Sequence, residues 1–382
     1  MKNGHLERLE VRLKTLAPVY IGSSESLTKK EYILDRGTGK IHIPDLGKLT
    51  GYLSKRSLVK SFENYLLQER NSDLYSFLKR NNIGIKDYDH FVSYSLDAGE
   101  AYTQDKFRGL LMFVKGPDGL PYIPGSSLKG ALRTAIAAYT VKNGNYQNNI
   151  EEIERGVETR RNSKRYMSNA SKHLESKIFR KLNIEDKRDP RKIKWYDMIN
   201  DFMRGISISD SLPIHHDNLI VCGKYDRMPD GSVNILNIYR ECLSPGTVTK
   251  FTLTLDKTVL SKAGIDLDYI KKSLKYFVNA QDELFNRYFP DFNNDADEET
   301  KEEATVILGG GAGYQSKTIV YPLFPDRQRA LRVVGTMMTK QFPRHKHEAD
   351  IHKHKVSPHT LKTTMYKGKY YVMGRCKLEF IN

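Results

Sequence analysis

Four glycines fall within five positions in the run Leu308-Gly309-Gly310-Gly311-Ala312-Gly313-Tyr314, and Gln315, Ser316 and Lys317 add donors just beyond it. Glycine takes positive φ without steric cost, so such a run lets successive backbone N–H groups face phosphate oxygens. The same run serves equally well as a flexible structural turn. The P-loop string G-x-x-x-x-G-K-[ST] is absent, which disfavours nucleotide hydrolysis. A second basic set lies at Lys129 and Arg133, which are stacked on one helix face by their four-residue spacing. The pair is placed to hold phosphates near a helix start, or to form an ordinary solvated face.

Two groups of histidines invite other chemistry. His345, His347, His352, His354 and His359, five of the eleven in the chain, crowd one short segment. The Lys and Arg between them repel a cation, no cysteine is near, and the H-x-H pairs lack the spacing of recognised zinc motifs. The segment therefore reads as a mobile basic loop without metal. His215-His216-Asp217, after Pro213, offers a general base, but the same residues make an ordinary polar turn, which is the preferred reading. Cys222, Cys242 and Cys376 are scattered and odd in number, and they read as buried reduced thiols.

These residues need a scaffold. Leu9, Val11 and Leu13 alternate with Glu10, Arg12 and Lys14, the period of a half-buried strand. Gly22-Ser23-Ser24 supplies turn chemistry, and 32–43 reads as a hairpin around Gly37-Thr38-Gly39. A helical pattern follows over 49–67, while 84–105 is hard to read. The turn Gly116-Pro117-Asp118-Gly119 leads into Tyr122-Ile123-Pro124-Gly125-Ser126-Ser127 and a helix over 128–140, with Ser126 or Ser127 as its expected cap. Leu128, Leu132, Ala135 and Tyr139 share one face, whereas the basic pair lies on another.

The segment 39–51 weakly parallels 119–130, with Pro44 and Pro124 eighty residues apart, an interval that suits a ferredoxin-like module without proving duplication. From 143 to 194 the pattern is helical and basic, ending at Pro190 and Trp195. Strand-like stretches then cover 206–210, 234–240 and 247–255, a helix covers 269–289, and a last strand covers 370–380.

The chain of 382 residues carries a formal charge of +16, which points to a polyanionic partner or an acidic membrane surface. Residues 155–194 hold fourteen Lys/Arg against five Asp/Glu, so more than half the excess sits there, facing RNA or a neighbour or simply solvent. By contrast, 291–303 carries seven carboxylates against Lys301 and reads as a solvated linker. No apolar run approaches the ~20 residues of a membrane span, and positions 1–10 lack a signal-peptide core, so a cytoplasmic location is expected.

Together these motifs resemble the RAMP superfamily of CRISPR proteins. The resemblance rests on Pro18-Val19-Tyr20-Ile21-Gly22, on Ile123-Pro124-Gly125-Ser126-Ser127-Leu128-Lys129-Gly130 with Leu132 and Arg133, and on the strand 205–210. It extends to Glu241 with Leu243-Ser244-Pro245-Gly246-Thr247 and to the late glycine loop, all in the family's order. The size, the loop and the basic insertion are most similar to the fifth-numbered subunit type of the type III-A Csm effector complex.

The resemblance implies an α+β fold of tandem ferredoxin-like (RRM-like) modules, 1–142 and 205–382, with a basic helical insertion at 143–204. It implies a non-catalytic, metal-free and cofactor-free role in antiviral defence, capping the filament and binding the 3′ end of the guide (crRNA) RNA. The implied RNA-binding residues are Gly22, Ser23, Ser24, Ser126, Ser127, Lys129, Arg133, Gly309, Gly310, Gly311, Gly313, Gln315 and Lys317. The implied partners are the repeating backbone RAMP subunit, the small helical subunit, and cellular nucleases that mature the guide. The related backbone subunit cuts target RNA with an Asp after its first strand. The equivalent stretch here, 22–33, has Glu25 and Glu31 but no Asp. Two alternatives stand beside this reading: a RAMP endoribonuclease using His42 or His215 as base, and a structural adaptor without RNA contact.

Overall fold

The period-two alternation at the start folds as β1 (Leu6–Thr15), with Leu9, Val11 and Leu13 buried and Glu10, Arg12 and Lys14 exposed. The computed structural model describes residues 4–68, 72–100, 107, 109–159, 167–186, 189–193, 197–290, 296 and 300–381. A strand buried on one face needs partners at both edges, and β1 finds them far away in sequence. It pairs antiparallel with β12 (Val248–Asp256) on one side and β16 (Arg375–Ile381) on the other. β9 (Ile206–Ile208) and β13 (Val306–Ile307) complete a five-stranded sheet of order β13-β16-β1-β12-β9.

The helices α4 (Gly125–Asn143) and α8 (Leu267–Leu284) pack together, with Thr140 Oγ1 2.8 Å from the Tyr269 hydroxyl and Tyr139 edge-on to the Tyr269 ring. The succession β1-α4-β9-β12-α8-β16 in the order β16-β1-β12-β9 is that of the split β-α-β, ferredoxin-like motif. Of the connections between these six elements, the shortest is the β12–α8 step. The large segments between the other elements build the rest of the molecule.

The other large sheet has nine strands. Its path is β2 (Gly22–Thr28), β6 (Gly109–Phe113), β11 (Val233–Leu243), β10 (Leu219–Arg227), β5 (Val92–Asp97), β4 (Lys40–Pro44) and β3 (Ile33–Asp35), with β14 (Leu361–Tyr366) on β10 and β15 (Lys369–Val372) on β14. It does not repeat the ferredoxin-like order. Both sheets mix strands from before 142 and after 205, so the boundaries expected from sequence do not separate them. The insertion is not separate either, because Ile150, Ile153, Val157, Leu174 and Phe179 join the main core. A small lobe has a separate core, made by α1 (Leu46–Lys55), α2 (Val59–Gln68) and α3 (Leu74–Arg80) through Leu49, Leu53, Phe62, Tyr65 and Phe77.

Several local expectations are corrected. Gly22-Ser23-Ser24 opens strand β2 rather than a turn, and Ser24, at φ 72, sits where the register shifts between Gly22 and Ser26. The pattern over 49–67 is two helices, broken where Ser57 takes φ 58. The insertion holds α5 (Gln147–Glu158) and α6 (Ser168–Phe179), then a hairpin of β7 (Glu185–Asp186) and β8 (Asp189–Ile193) where helix was expected. The final strand is two, divided at Gly374, whose φ of 87 turns the chain.

Strand β10 opens on the unbroken apolar run Leu219-Ile220-Val221-Cys222, which has no period-two alternation, and the helix Arg327–Gln341 carries too many polar residues to stand out by periodicity. Arg160, Arg161, Lys164, Arg165, Lys187, Arg188, Lys194 and Trp195 lie outside the described residues, as do Asp291, Asp295, Asp297, Glu298 and Glu299. Among the described residues no helix is long and apolar enough to cross a membrane.

Candidate nucleic-acid interface

Three segments separated by about a hundred or more residues converge on one groove of about 420 Å³. Ile21 and Gly22 come from the start of β2, Ser126, Ser127, Gly130, Ala131 and Thr134 from α4, and Ile307, Gly309, Gly310, Ser316 and Lys317 from the glycine loop. Six of the thirteen residues expected to touch RNA therefore line one surface: Gly22, Ser126, Ser127, Gly309, Gly310 and Lys317.

Close backbone approach dictates which residues stand here. Gly309 sits at φ 86 and a Cβ on it would strike the Tyr20 carbonyl, while the next N–H, of Gly310, donates to that carbonyl at 2.7 Å. The start of α4 presses on the backbone that follows β9, and a Cβ at Gly125 would strike the carbonyls of Ile208 and Ser209. Side chains at these points would push the three walls apart.

Helix α4 is not capped by either serine. Pro124 occupies the cap position, and the Gly125 N–H instead donates to the Asp210 carboxylate at 2.8 Å, so Ser126 and Ser127 lie in the first turn with their hydroxyls at the groove. The Ser126 amide and the helix dipole favour an anion there, against the partial neutralisation by Asp210 and with the Ser127 amide bonded to the Pro124 carbonyl at 2.9 Å. Lys317 is exposed, and among the described residues it has no ion-pair partner. The groove thus presents hydroxyls, backbone amides and one free ammonium, a donor set that suits phosphate and sugar oxygens.

The remaining seven expected residues lie elsewhere. Ser23 Oγ is 3.4 Å from the Met112 carbonyl, and Ser24 is exposed on the bulged part of β2. Gly311, at φ 85, faces Arg240 and Met373, whereas Gly313, at φ 89, is crowded by Gln315. Gln315 is buried and its amide donates to the Ala312 carbonyl at 2.8 Å, so it shapes the loop. Burial lowers the pKa of Lys129 more than Asp201 raises it. Arg133 is 2.9 Å from Asp201, and its guanidinium lies 3.6 Å from the Phe179 ring centroid. The basic pair is therefore not presented jointly: Arg133 clamps α4 to the insertion.

The other candidate bases lie outside the groove. His42 is buried, with Nδ1 2.7 Å from Ser95 Oγ, and burial lowers its pKa. His215 is exposed beside Asp217 at 3.0 Å, while His216 stacks on Tyr94 at 4.1 Å and bonds the Gly119 carbonyl, which is the polar turn expected. Glu31 takes the N–H and hydroxyl of Thr28, both at 2.9 Å, and Glu25 is exposed.

Glu241 has a role that composition cannot reveal. Fully buried, it accepts from the Tyr94 hydroxyl at 2.6 Å, the Phe113 N–H at 2.9 Å and the Lys115 ammonium at 2.5 Å, pinning β5, β6 and β11 together. The neighbouring turn at Gly246 is tied to the end of β1, where Thr15 Oγ1 donates to the Ser244 carbonyl and accepts from the Thr247 N–H.

Comparison with known proteins bears on the whole chain. A profile of the RAMP superfamily matches residues 12–315. The CRISPR system Cms protein Csm5 of Mycobacterium tuberculosis (strain H37Rv) is 26% identical over 400 residues, covering 99% of this chain and 98% of that protein. The protein of the same name from Streptococcus thermophilus is 29% identical over 350 residues, covering 89% and 88%. Two solved structures share the fold. One is a chain in the cryo-EM structure of a Csm-crRNA-target RNA ternary complex of a type III-A CRISPR-Cas system (20% identity, TM-score 0.63, covering 97% and 100%). The other is the crystal structure of T. onnurineus Csm5 (19% identity, TM-score 0.62, covering 96% and 99%).

Proposed function

Because this chain belongs to the RAMP superfamily, we propose that it is an RNA-binding subunit of a type III-A CRISPR effector complex, holding the 3′ part of the guide RNA at the end of the filament. The observation that carries the reading is the groove between β2, α4 and the glycine loop, where serine hydroxyls, backbone amides and Lys317 converge. Such donors contact phosphate and sugar without reading bases, as a subunit that accepts any guide requires. Its partners would be the repeating backbone RAMP subunit and the small helical subunit, with cellular nucleases trimming the guide beyond the protected end. The nine-stranded sheet would then be a remodelled second member of the tandem RRM-like pair.

A binding role is favoured over guide cleavage by where the histidines lie, since His42 is buried and neither it nor the exposed His215 lines the groove. Metal-free cleavage needs a base within hydrogen-bond reach of a ribose 2′-hydroxyl, and His42 is enclosed between Ser95 and Tyr88. The groove lining contains hydroxyls and an ammonium but neither imidazole nor carboxylate.

Titration of single-stranded RNA by fluorescence anisotropy at several salt concentrations tests this reading. Lys317→Glu should weaken binding roughly tenfold and flatten the salt slope by about one or more, equally for all sequences, with the unfolding midpoint unchanged. In a reconstituted complex, 4-thiouridine near the 3′ end of the guide should cross-link to 307–317. Unchanged affinity in the variant would remove the groove from RNA binding. Cross-links from the 5′ end instead would reassign the subunit's position.

A further inference from the structure

The histidine segment 345–359 is not a loop in solvent. Pro343–His345 and Asp350–His354 form helical turns packed on the helix Arg327–Gln341, where a Cβ on Gly335 would meet Ile351. The Tyr321 hydroxyl donates to the Ser357 carbonyl at 2.8 Å, and an Arg327 N–H donates to the Lys355 carbonyl at 2.8 Å. At the centre lies the fully buried Asp350 carboxylate. His347 Nδ1 is 2.8 Å from its Oδ2 and His359 Nδ1 is 2.5 Å from its Oδ1. A ligand atom from each of the three residues lies within 4.8 Å of the other two.

We propose that His347, Asp350 and His359 form a binding site for one divalent transition metal of the zinc class, which ties the two ends of this segment together beside the helix before the chain enters β14. Two imidazole nitrogens and one carboxylate oxygen are a donor set zinc favours, with the fourth position left to water or to His354, whose ring lies 5.2 Å from that of His359.

The buried carboxylate supplies the reason for a cation here, since an ionised group away from water must be neutralised by a close partner. Metal binding at the two Nδ1 atoms would leave each neutral imidazole with its proton on Nε2, replacing the hydrogen bonds to Asp350 by shared coordination. The nitrogen-to-oxygen separations would open from hydrogen-bond length to about 3.3 Å, the edge of a tetrahedron with bonds of about 2.0–2.1 Å.

The basic residues that argue against a metal in the sequence are directed otherwise in the fold. Arg344, Lys346, Lys353 and Lys355 are all exposed, whereas the three ligands face inward. Their repulsion of a cation is therefore exerted through solvent and screened by salt.

Elemental analysis of the full chain, purified without chelator and dialysed against Zn²⁺, should find about one zinc per chain. X-ray absorption of the unaltered protein should show only nitrogen and oxygen neighbours at about 2.0 Å, with the multiple scattering of two imidazoles. His347→Ala and His359→Ala should each lower Zn²⁺ affinity at least tenfold, whereas His352→Ala, an exposed neighbour, should leave it unchanged. Co²⁺ in place of zinc should give the visible absorption of a four-coordinate ion. A chain that takes up neither metal would overturn the proposal, as would a sulfur shell or zinc retained in both variants. The absorption spectra need no variant to fold, so they decide the matter alone if either substitution unfolds the chain.

Discussion

The glycine loop and the histidine segment are both short, polar stretches that a composition plot would place in solvent, and the fold treats them in opposite ways. In the loop the side chains are missing, so that backbone can lie on backbone: Gly309 against the Tyr20 carbonyl, with Gly310 donating to it. In the histidine segment two side chains, His347 and His359, turn inward, and their polarity is used up on Asp350. What distinguishes them is the neighbour each is pressed against, a bare strand entry in one case and an amphipathic helix in the other.

The largest effect should come from the loop. Gly309→Val combines a β-branched residue at φ 86 with a collision at the Tyr20 carbonyl and should cost about 4 kcal/mol in urea unfolding. Gly310→Ala, with ordinary φ and only the edge of the Tyr20 ring nearby, should cost under about 1 kcal/mol. Equal costs at the two positions would mean that the loop does not rest on the strand entry.

On the other side of the comparison, Asp350→Ala leaves two buried imidazoles without their shared acceptor and should destabilise the chain by about 3 kcal/mol. A neutral result would return the segment to the mobile loop that its composition suggests. A third measurement asks which class Arg133 belongs to. Removing a guanidinium that faces the nearly buried Asp201 and covers Phe179 should cost about 2 kcal/mol while leaving the salt slope of RNA binding intact. A flatter slope at unchanged stability would instead assign Arg133 to the RNA.

The smallest effect concerns His42, buried like His347 but with a hydroxyl rather than a carboxylate beside it. Burial holds its folded pKa below the ordinary 6.5, so on acidification the unfolded chain gains the proton first. Its stability contribution is complete above about pH 6.5 and is lost as pH falls toward the folded value. Urea midpoints at about pH 7.5 and pH 5.5 should therefore differ less in His42→Gln than in the unaltered chain. An identical pH dependence would place His42 in contact with water.

Much of the groove was legible because it depends on backbone. Glycine and serine at 22, 126–127 and 309–310 permit close approach, and family order brings them into one picture. The structure removed Arg133 and Gln315 because their partners, Asp201 and the Ala312 carbonyl, depend on where the insertion and the loop come to rest. Strand periodicity identified β1, yet nothing local in Leu9, Val11 and Leu13 says that Leu253, Phe251 and Leu378 will flank them. Modules drawn as consecutive stretches therefore failed where the sheet is closed by distant strands. The histidine segment failed for a related reason: spacing motifs assume ligands on one turn or hairpin, while His347 and His359 meet only because the chain doubles back across the helix.

The closure of β1 between β12 and β16 also has a temporal side. Arg12 and Glu379, neighbours in the finished sheet, stand 367 positions apart. At roughly 5–20 residues per second, a ribosome delivers β16 about 20–70 s after β1 has emerged. During that interval one edge of the first strand offers unpaired amides and carbonyls, so the nascent protein must be shielded by a chaperone or by its own provisional contacts before its last strand arrives.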